Sequence, residues 1–378
     1  MKTKISLKKT RLSLQLVSAL TIVASLAIAT AVSAQTITTF DAPGAGTGPL
    51  QGTYAFSINP SGTITGFSRD AGNVRHGFVR SKHGDFIIFD APGASTGAGG
   101  GTRAYSINPA GEITGFFFDS ATVAHGYVRS RQGDITVFDV RGAGTGPGQG
   151  TFPAFSPLLI NPSGAISGNY TDSAFVSHGF LRHPDGSIET FDVPGAGTGP
   201  GQGTNSFAIS PGSDITGFYI DGSNAAHGFL RDASGAITTF DVPGALLGTF
   251  GGGFTPNGTI MGNDFGPDTI SHGFLRDKNG TFSSFDAPGA GTDPGSFQGT
   301  YPFGITSNGA ITGWYVDATD LNHGFIRNKN GTFTTFDVPG AGTAPGQGPR
   351  VFGIAPNGSV TGQFNDPSNA VHGFVLSK

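Results

Sequence analysis

One short pattern recurs along this chain and constrains its fold more than any other feature. A His-Gly-aromatic triplet occurs seven times, starting at His76, His125, His178, His227, His272, His323 and His372. Phe-Asp pairs end at Asp41, Asp90, Asp139, Asp192, Asp241, Asp286 and Asp337. The step from a histidine to the next of these aspartates is always 14 residues, so we expect length variation to fall in the Pro-Gly-rich loop that follows each aspartate. A repeat of about 50 residues indicates stacked or radially arranged units.

Each repeat contains four short segments of strand composition. In the first repeat these are residues 54–58, 63–68, 76–81 and 86–89, and Asn59-Pro60-Ser61-Gly62 forms one of the breaks between them. No window has the i, i+3, i+4 periodicity of an amphipathic helix. The sequence therefore predicts an all-β fold.

The two ends of the chain complement each other. Residues 37–40 are similar to the fourth strand of a repeat, and residues 372–376 are similar to the third, so the N-terminus supplies the strand that the last repeat lacks. Such ends indicate a closed ring, whereas an open solenoid needs capping repeats. We predict one domain over residues 35–378, a seven-bladed β-propeller of four-stranded repeats, with the last blade closed by the N-terminal strand. A β-solenoid or prism-like stack is the alternative.

The first 34 residues differ from the rest of the chain. Lys2, Lys4, Lys8, Lys9 and Arg11 precede an apolar run over residues 12–32, and small residues follow. This pattern predicts a signal peptide over residues 1–34, secretion to the extracellular space, cell surface or periplasm, and no membrane span after cleavage. A retained membrane anchor is the alternative.

Charge and composition exclude several classes of protein. Residues 1–34 hold five of the 21 Lys and Arg, which leaves 16 against 25 Asp and Glu, a formal charge of −9. An acidic surface argues against nucleic acid and anionic membranes as partners. The chain has no cysteine and 33 phenylalanines, so we expect burial of aromatic rings rather than disulfides to stabilise it. We also expect the protein to be a monomer.

The repeated histidine and aspartate allow two interpretations. The structural one is a hydrogen bond from imidazole to carboxylate that holds the strand ends together in each repeat. The alternative is a metal site of His76 with Asp70 and Asp90. The spacing matches no ligand signature, and the fifth repeat has Gly266 where the first has Asp70. We therefore predict neither a metal nor another cofactor.

The third and fourth strands of each repeat are expected to form a hairpin. A turn centred on His83 and Gly84 would place Phe78 opposite Phe89, and Gly77 would let a neighbouring chain approach closely. Arginines recur two residues after the aromatic residue of six triplets, and we predict that they are solvated or aspartate-paired; an anion-binding ring is the alternative. These are Arg80, Arg129, Arg182, Arg231, Arg276 and Arg327.

The run Ile58-Asn59-Pro60-x-Gly62-x-Ile64-Thr65-Gly66, followed by His76-Gly77-Phe78, resembles the extracellular repeats of the HAF family of bacterial proteins. That family is named for a His-Ala-Phe core, and this chain has glycine at the middle position of all seven triplets. The resemblance implies an exported repeat protein with a propeller-like fold. It brings no established activity and no catalytic residues.

Loops on a rigid scaffold are the usual place for binding, and a propeller would gather these loops on one face. We predict a secreted or cell-surface binding scaffold whose partner is an extracellular glycan, a surface polymer or a protein. A hydrolase or lyase with a site in the central channel is the alternative. Glycosidases need paired carboxylates, yet glutamate occurs only at Glu112 and Glu189, so we predict no catalytic residue.

A binding or catalytic site that occurs once in the chain should depart from the repeated sequence. Positions where the copies differ are therefore the candidates for the ligand face. The fifth repeat has a short loop at residues 246–250, the sixth has the chain's one tryptophan, and one loop has arginine in place of proline. We name Trp314, Tyr315, Asn263, Asp264 and Arg141 as candidates. An exposed Trp314 at a channel mouth would favour sugar stacking.

Overall fold

The structure is a computed structural model that describes residues 35–153 and 155–377. This part of the chain contains 28 strands and no helix, which confirms the predicted all-β fold. Accordingly, it has no helix of the length and apolarity needed to cross a membrane. The predicted signal peptide, residues 1–34, lies outside the described residues.

The strands are short and evenly spaced. In chain order they are β1 (Thr36–Phe40), β2 (Gly52–Ile58), β3 (Ile64–Arg69), β4 (Arg75–Arg80), β5 (Phe86–Phe89), β6 (Gly101–Ile107), β7 (Ile113–Phe118), β8 (Ala124–Arg129), β9 (Ile135–Phe138), β10 (Gly150–Phe152), β11 (Ile166–Thr171), β12 (Ser177–Arg182), β13 (Ile188–Phe191), β14 (Gly203–Ile209), β15 (Ile215–Ile220), β16 (Ala226–Arg231), β17 (Ile237–Phe240), β18 (Gly248–Phe254), β19 (Ile260–Phe265), β20 (Ser271–Arg276), β21 (Phe282–Phe285), β22 (Gly299–Ile305), β23 (Ile311–Val316), β24 (Asn322–Arg327), β25 (Phe333–Phe336), β26 (Gly348–Ile354), β27 (Val360–Asn365) and β28 (Val371–Ser377).

Consecutive strands form repeated four-stranded antiparallel units. In the first repeat β2 pairs with β3, β3 with β4, and β4 with β5. The first strand of a unit also meets the third strand of the unit before it, as Gly101 of β6 pairs in parallel with Arg75 of β4. The last unit is completed by β1, which pairs antiparallel with β28. Hydrogen bonds therefore join the two ends of the described chain.

The hairpin of the third and fourth strands has a different register from the expected one. Gly77 lies opposite Phe89, and Phe78 lies opposite Ile88. The turn is one residue longer than expected, because the backbone N–H of Ser81 donates to the carbonyl of Asp85. A slip of one residue moves every side chain to the other face of the sheet, so the expectation that Phe78 faces Phe89 was wrong.

This register explains the glycine of each His-Gly-aromatic triplet. A Cβ atom on Gly77 would lie 2.6 Å from the ring of Phe89, and one on Gly228 would lie 2.3 Å from the ring of Phe240. The same clash with the fourth-strand phenylalanine occurs in the other five repeats. The glycine therefore makes room for an aromatic ring of its own repeat rather than for a neighbouring chain.

The fourth-strand phenylalanine also packs against the next repeat. The ring of Phe89 lies 6.1 Å from that of Tyr127, edge to face, and the guanidinium of Arg129 lies 4.9 Å from the centre of the same Phe89 ring. The prediction that these arginines are solvated or aspartate-paired was wrong, because each lies over a ring of the preceding unit at 4.5 to 5.0 Å. The pairs are Arg80–Phe40, Arg129–Phe89, Arg182–Phe138, Arg231–Phe191, Arg276–Phe240 and Arg327–Phe285.

The third repeat departs from the expected pattern of loop lengths. Its first strand, β10, ends at Phe152, and extra residues follow before the bend at Asn161. Within this insertion, the carbonyl of Pro157 accepts hydrogen bonds from Ser57 at 3.2 Å and Ser106 at 2.8 Å. The insertion therefore contacts the first two repeats, and length variation is not confined to the loops after the aspartates.

We expect Gly228→Ala to lower the free energy of unfolding by about 1–3 kcal/mol, because the added methyl group overlaps the Phe240 ring. Gly222 of the same repeat is the matched control, since a Cβ atom there meets nothing within 4 Å. Urea unfolding followed by circular dichroism measures both. Equal stability of Gly228→Ala and Gly222→Ala would contradict the proposed packing of the ring on the glycine.

Candidate functional site

A histidine and an aspartate meet at the end of every unit. The Nδ1 atom of each triplet histidine lies 2.7 to 3.1 Å from a carboxylate oxygen. The pairs are His76–Asp90, His125–Asp139, His178–Asp192, His227–Asp241, His272–Asp286, His323–Asp337 and His372–Asp41. The last pair joins the two ends of the chain, in line with the β1–β28 pairing.

Most of these imidazoles also have a carboxylate near their second ring nitrogen, Nε2. In six repeats the Nε2 atom lies 3.1 to 3.6 Å from an aspartate of the loop between strands two and three. In the fourth repeat that aspartate is Asp221, and hydrogen bonds from the backbone of Ala225 and the hydroxyl of Ser223 lower its pKa to about 2. The described residues contain no group of three or more His, Asp or Glu side chains suited to hold a metal ion.

Aromatic rings stack on five of the histidines from the neighbouring second strand. The pairs are Phe117–His125, Tyr170–His178, Tyr219–His227, Tyr315–His323 and Phe364–His372, with centroids 4.8 to 5.1 Å apart. Tyr315, one of the predicted ligand-face residues, is therefore a stacking partner of His323 and is buried. A histidine enclosed in this way holds strand ends together and has little room to contact a ligand.

The fifth repeat breaks this arrangement. Asp264 stands at the stacking position, directly opposite His272, and Gly266 replaces the loop aspartate. Asp264 is 6% exposed, and its Oδ1 atom is buried without a hydrogen-bond partner. Burial raises the pKa of Asp264 to about 6. The charge of His272 opposes this shift, and the charge of Asp286 adds a smaller increase.

Around the central axis, aromatic side chains of the first strands contact one another. Phe207 of the fourth repeat lies 5.4 Å from Phe303 of the sixth, Phe303 lies 5.1 Å from Phe352, and Phe352 lies 4.8 Å from Phe56. Phe56 in turn contacts Tyr105 at 4.8 Å. We call these five residues the axial ring cluster. The Phe207–Phe303 contact shows that first strands of non-adjacent repeats approach one another.

Two further aromatic residues extend this cluster toward solvent. Trp314 is half-buried, stacks on Tyr301 with centroids 5.6 Å apart, and contacts Phe303 at 5.0 Å. Phe155 is 61% exposed and lies 5.6 Å from Tyr105. Phe155 has a φ of 67°, which is strained for a residue with a large side chain. Phe297 is also 61% exposed with a φ of 56°, so the contact with Tyr105 of the axial ring cluster is what distinguishes Phe155.

The other predicted candidates lie elsewhere. Asn263 occupies the position in the fifth repeat that Trp314 occupies in the sixth, and it donates a hydrogen bond to the hydroxyl of Ser271 at 3.1 Å. Arg141 is exposed in the loop after β9. The structure thus brings Trp314 to the axial ring cluster and places Tyr315 and Asp264 on the opposite face of their strands. Phe155 was missed, because it lies in the third-repeat insertion.

A cavity of about 190 Å³ lies at the ends of the first strands and is lined by residues of all seven repeats. Ile58, Ile209 and Ile305 contribute to its apolar surface, and Asn108 and Asn161 are among its polar residues. None of the described residues that line it has a titratable side chain.

Residues 93–97, Gly-Ala-Ser-Thr-Gly, have the spacing of a nucleophile elbow. In α/β-hydrolases that motif joins a strand to a helix. Here it lies in the loop between β5 and β6, and the hydroxyl oxygen of Ser95 accepts a hydrogen bond from the backbone N–H of Gly97 at 3.2 Å. The context of the motif is therefore that of a turn.

No family model matches this chain, and no curated protein matches it. Among solved structures, two of virginiamycin B lyase from Staphylococcus aureus match with a TM-score of 0.58. One is a catalytically inactive variant with quinupristin, 14% identical to this chain, and the other is the selenomethionine-substituted protein, 13% identical. Both matches cover 91% of this chain and 100% of the lyase, which is a propeller-type protein. This chain has a β-propeller-like fold.

A structure from an analysis of two prolyl endopeptidases matches with a TM-score of 0.51 and 9% identity. That match covers 86% of this chain and 50% of the endopeptidase chain. At identities this low the likeness to the lyase and the endopeptidase shows the fold alone.

We expect Asp264→Asn to stabilise the protein at neutral pH by up to about 3 kcal/mol. The folded-state pKa of about 6 lies above the ordinary aspartate pKa of 3.8, so ionisation costs stability. This penalty is absent below pH 3.8 and complete above about pH 6, and the substitution should therefore have little effect in acid and its full effect at neutral pH. Urea unfolding across this pH range measures it.

Asp221→Asn is a control for which we expect the opposite change in stability. The pKa of Asp221 is lowered to about 2, so its carboxylate contributes stability above pH 3.8 that is lost as the pH falls toward 2. The substitution should destabilise the protein at neutral pH. The interpretation of Asp264 fails if Asp264→Asn also destabilises at neutral pH.

Proposed function

We propose that this chain is a binding scaffold, a monomeric seven-bladed β-propeller whose last blade is completed by the N-terminal strand β1. The pairing of β1 with β28 supports this closure, as does the parallel contact of Gly52 with Val371. The contact between Phe56 of the first repeat and Phe352 of the seventh gives independent support at the axis.

The ligand surface that we propose is formed by Phe155, Trp314 and the adjoining axial ring cluster. The observation that carries this proposal is the exposure of Phe155 directly above the buried rings of Tyr105 and Phe116. Removing such a surface from water is favourable, and aromatic side chains dominate the energetics of many interfaces. The histidine–aspartate pairs lack this property, because the Nδ1 atom of every triplet histidine is already paired with a carboxylate.

An extracellular glycan is the ligand that this surface favours among the glycan, surface polymer and protein considered. The apolar faces of sugar rings pack on aromatic rings, and polar groups around the rim can bind the hydroxyl groups. Trp314 and Tyr301 offer a stacked pair with nearly parallel planes, 9° apart. Trp314 contacts the axial ring cluster through Phe303, and Phe155 contacts it through Tyr105.

The single tryptophan allows a direct test with the full chain. A labelled sample is applied to a glycan array and a surface-protein array, and each partner found is titrated while the emission of Trp314 is recorded. We expect a glycan to change this emission, and we expect Phe155→Ala to weaken its binding by about ten-fold or more, as the loss of a central aromatic contact does.

Ile87→Ala is the matched control, because Ile87 is 55% exposed but lies on β5, outside the proposed surface. Binding by this variant should equal that of the unsubstituted protein. The proposal is overturned if no partner is found, or if partners bind without changing Trp314 emission and tolerate Phe155→Ala.

We further propose that the protein is exported and belongs among HAF-type repeat proteins. The basic and apolar pattern of residues 1–34 supports export. Expression of the full chain in a bacterial host, followed by fractionation and mass measurement, tests it. We expect a mature chain that begins near Gln35 outside the cytoplasm; a cytoplasmic protein that keeps residues 1–34 would contradict export.

A hydrolase or lyase is the second candidate, and one observation favours it. In the fifth repeat, Asp264 has a pKa near neutrality and lies opposite His272, whose Nδ1 atom is held by Asp286. An acid of this kind beside an oriented imidazole is suited to proton transfer. Cleavage of a bound glycan that is abolished by Asp264→Asn would support this candidate, and binding without cleavage would exclude it for that glycan.

A further inference from the structure

Three arginines gather at one side of the proposed ligand surface, and none belongs to the six arginines that recur after the His-Gly-aromatic triplets. Arg69 ends β3, Arg75 begins β4, and Arg103 lies in β6 of the second repeat. Arg75 and Arg103 donate to the same acceptor, the carbonyl oxygen of Gly99, at 2.7 and 2.9 Å. Arg69 donates to the carbonyl oxygen of Leu50 at 3.2 Å. We call these three residues the arginine site.

The charges of the arginine site are not neutralised by the protein. Within residues 35–153 and 155–377, the one arginine found in an ion pair is Arg231, which meets Glu189. Carbonyl oxygens satisfy single N–H groups but carry no full negative charge, so like charges at the site repel each other. Burial and then the charge of Arg75 lower the pKa of Arg103 to about 10.

Arg103 is also incompletely hydrogen-bonded. The residue is 7% exposed, and its Nη1 atom is buried with no partner. The Nε atom of Arg69 is also unpartnered, but so are those of repeat arginines such as Arg80, so Arg103 Nη1 is the atom that distinguishes the site. A buried guanidinium with an unused donor costs free energy, and such costs are usually found where a ligand supplies the missing acceptor.

The arginine site adjoins the aromatic surface. The guanidinium of Arg103 lies over Phe116 at 4.9 Å and over Phe118 at 4.7 Å. The Phe116 ring is one of the two rings beneath Phe155, at 6.4 Å. A ligand that covers Phe155 can therefore reach the arginines with a charged substituent.

We propose that Arg69, Arg75 and Arg103 bind an oxyanion carried by the glycan, a carboxylate or a sulfate ester. This inference rests on the proposed binding function and adds the chemical class of the ligand. Guanidinium groups present paired N–H donors that match the oxygens of either anion, and a partly buried site strengthens the interaction. The remainder of residues 35–378 has an excess of acidic groups, so the site selects an anion locally rather than through net charge.

The test uses the full chain and three matched ligands. These are an oligogalacturonate, the same oligomer as its neutral methyl ester, and a sulfated oligosaccharide, each titrated by calorimetry and by Trp314 emission. We expect the galacturonate or the sulfated ligand to bind at least about ten-fold more tightly than the methyl ester, and the preference to weaken as salt is raised. Inorganic sulfate at constant ionic strength should also raise the melting temperature in a saturable manner.

Arg75→Gln is the informative variant, because Arg75 is less buried than Arg103 and its replacement keeps a hydrogen-bond donor. It should lose most of the preference for the anionic ligand and the protection by sulfate. Arg131→Gln removes the same charge from an exposed position outside the site and should change neither. Arg103→Lys, which keeps the charge but not the planar donor pair, should lose part of the preference.

The outcomes separate this inference from the proposed function. If the methyl ester binds as well as the acid, and sulfate gives no protection, the inference is overturned while the binding function stands. If sulfate protects the protein through Arg75 but no glycan changes Trp314 emission, the anion site is supported and the glycan function is overturned. Equal loss of binding in Arg75→Gln and Arg131→Gln would show a general charge effect and would overturn the site.

Discussion

The packing of one phenylalanine per repeat is the interaction on which the rest of this structure depends. The ring at the end of the fourth strand lies over the glycine of its own third strand and against the aromatic residue and arginine of the next unit, as Phe89 does with Gly77, Tyr127 and Arg129. Burial of such a ring contributes about 1.5–3 kcal/mol. Repetition of this contact stabilises a chain without cysteine, and it leaves the side chains at the axis free to differ from repeat to repeat.

Much of the fold was predictable because its determinants are local. Turn residues and alternating patterns mark the four strands of each repeat, and the complementary ends predict the pairing of β1 with β28. The register of the hairpin was not predictable in the same way. A turn one residue longer places Gly77 rather than Phe78 opposite Phe89, and residue spacing alone does not distinguish these turns. The environment of Arg80 was not predictable either, because its partner Phe40 belongs to the preceding unit.

The candidate site was predictable only in part, since the repeat shows where copies differ but not which way a side chain points. Trp314 and Tyr315 are neighbours in sequence, yet one reaches the axis and the other stacks on His323. Phe155 belongs to an insertion with no counterpart in the other repeats. The arginine site was hidden for another reason: Arg69, Arg75 and Arg103 come from three different positions of the repeat, and only folding brings them to neighbouring carbonyl oxygens.

The contacts between rings of different repeats bear on how such a protein can recognise a ligand. Contacts such as Phe207–Phe303 join non-adjacent repeats, so a ligand on the proposed surface meets packed aromatic rings. A surface of stacked rings distinguishes poorly between ligands of similar shape, because dispersion and burial depend on area more than on chemical detail. Selectivity must then come from directional groups at the rim. Unneutralised guanidinium groups beside exposed rings meet this requirement, since a neutral ligand leaves them unpaired whereas an anionic one completes their hydrogen bonds.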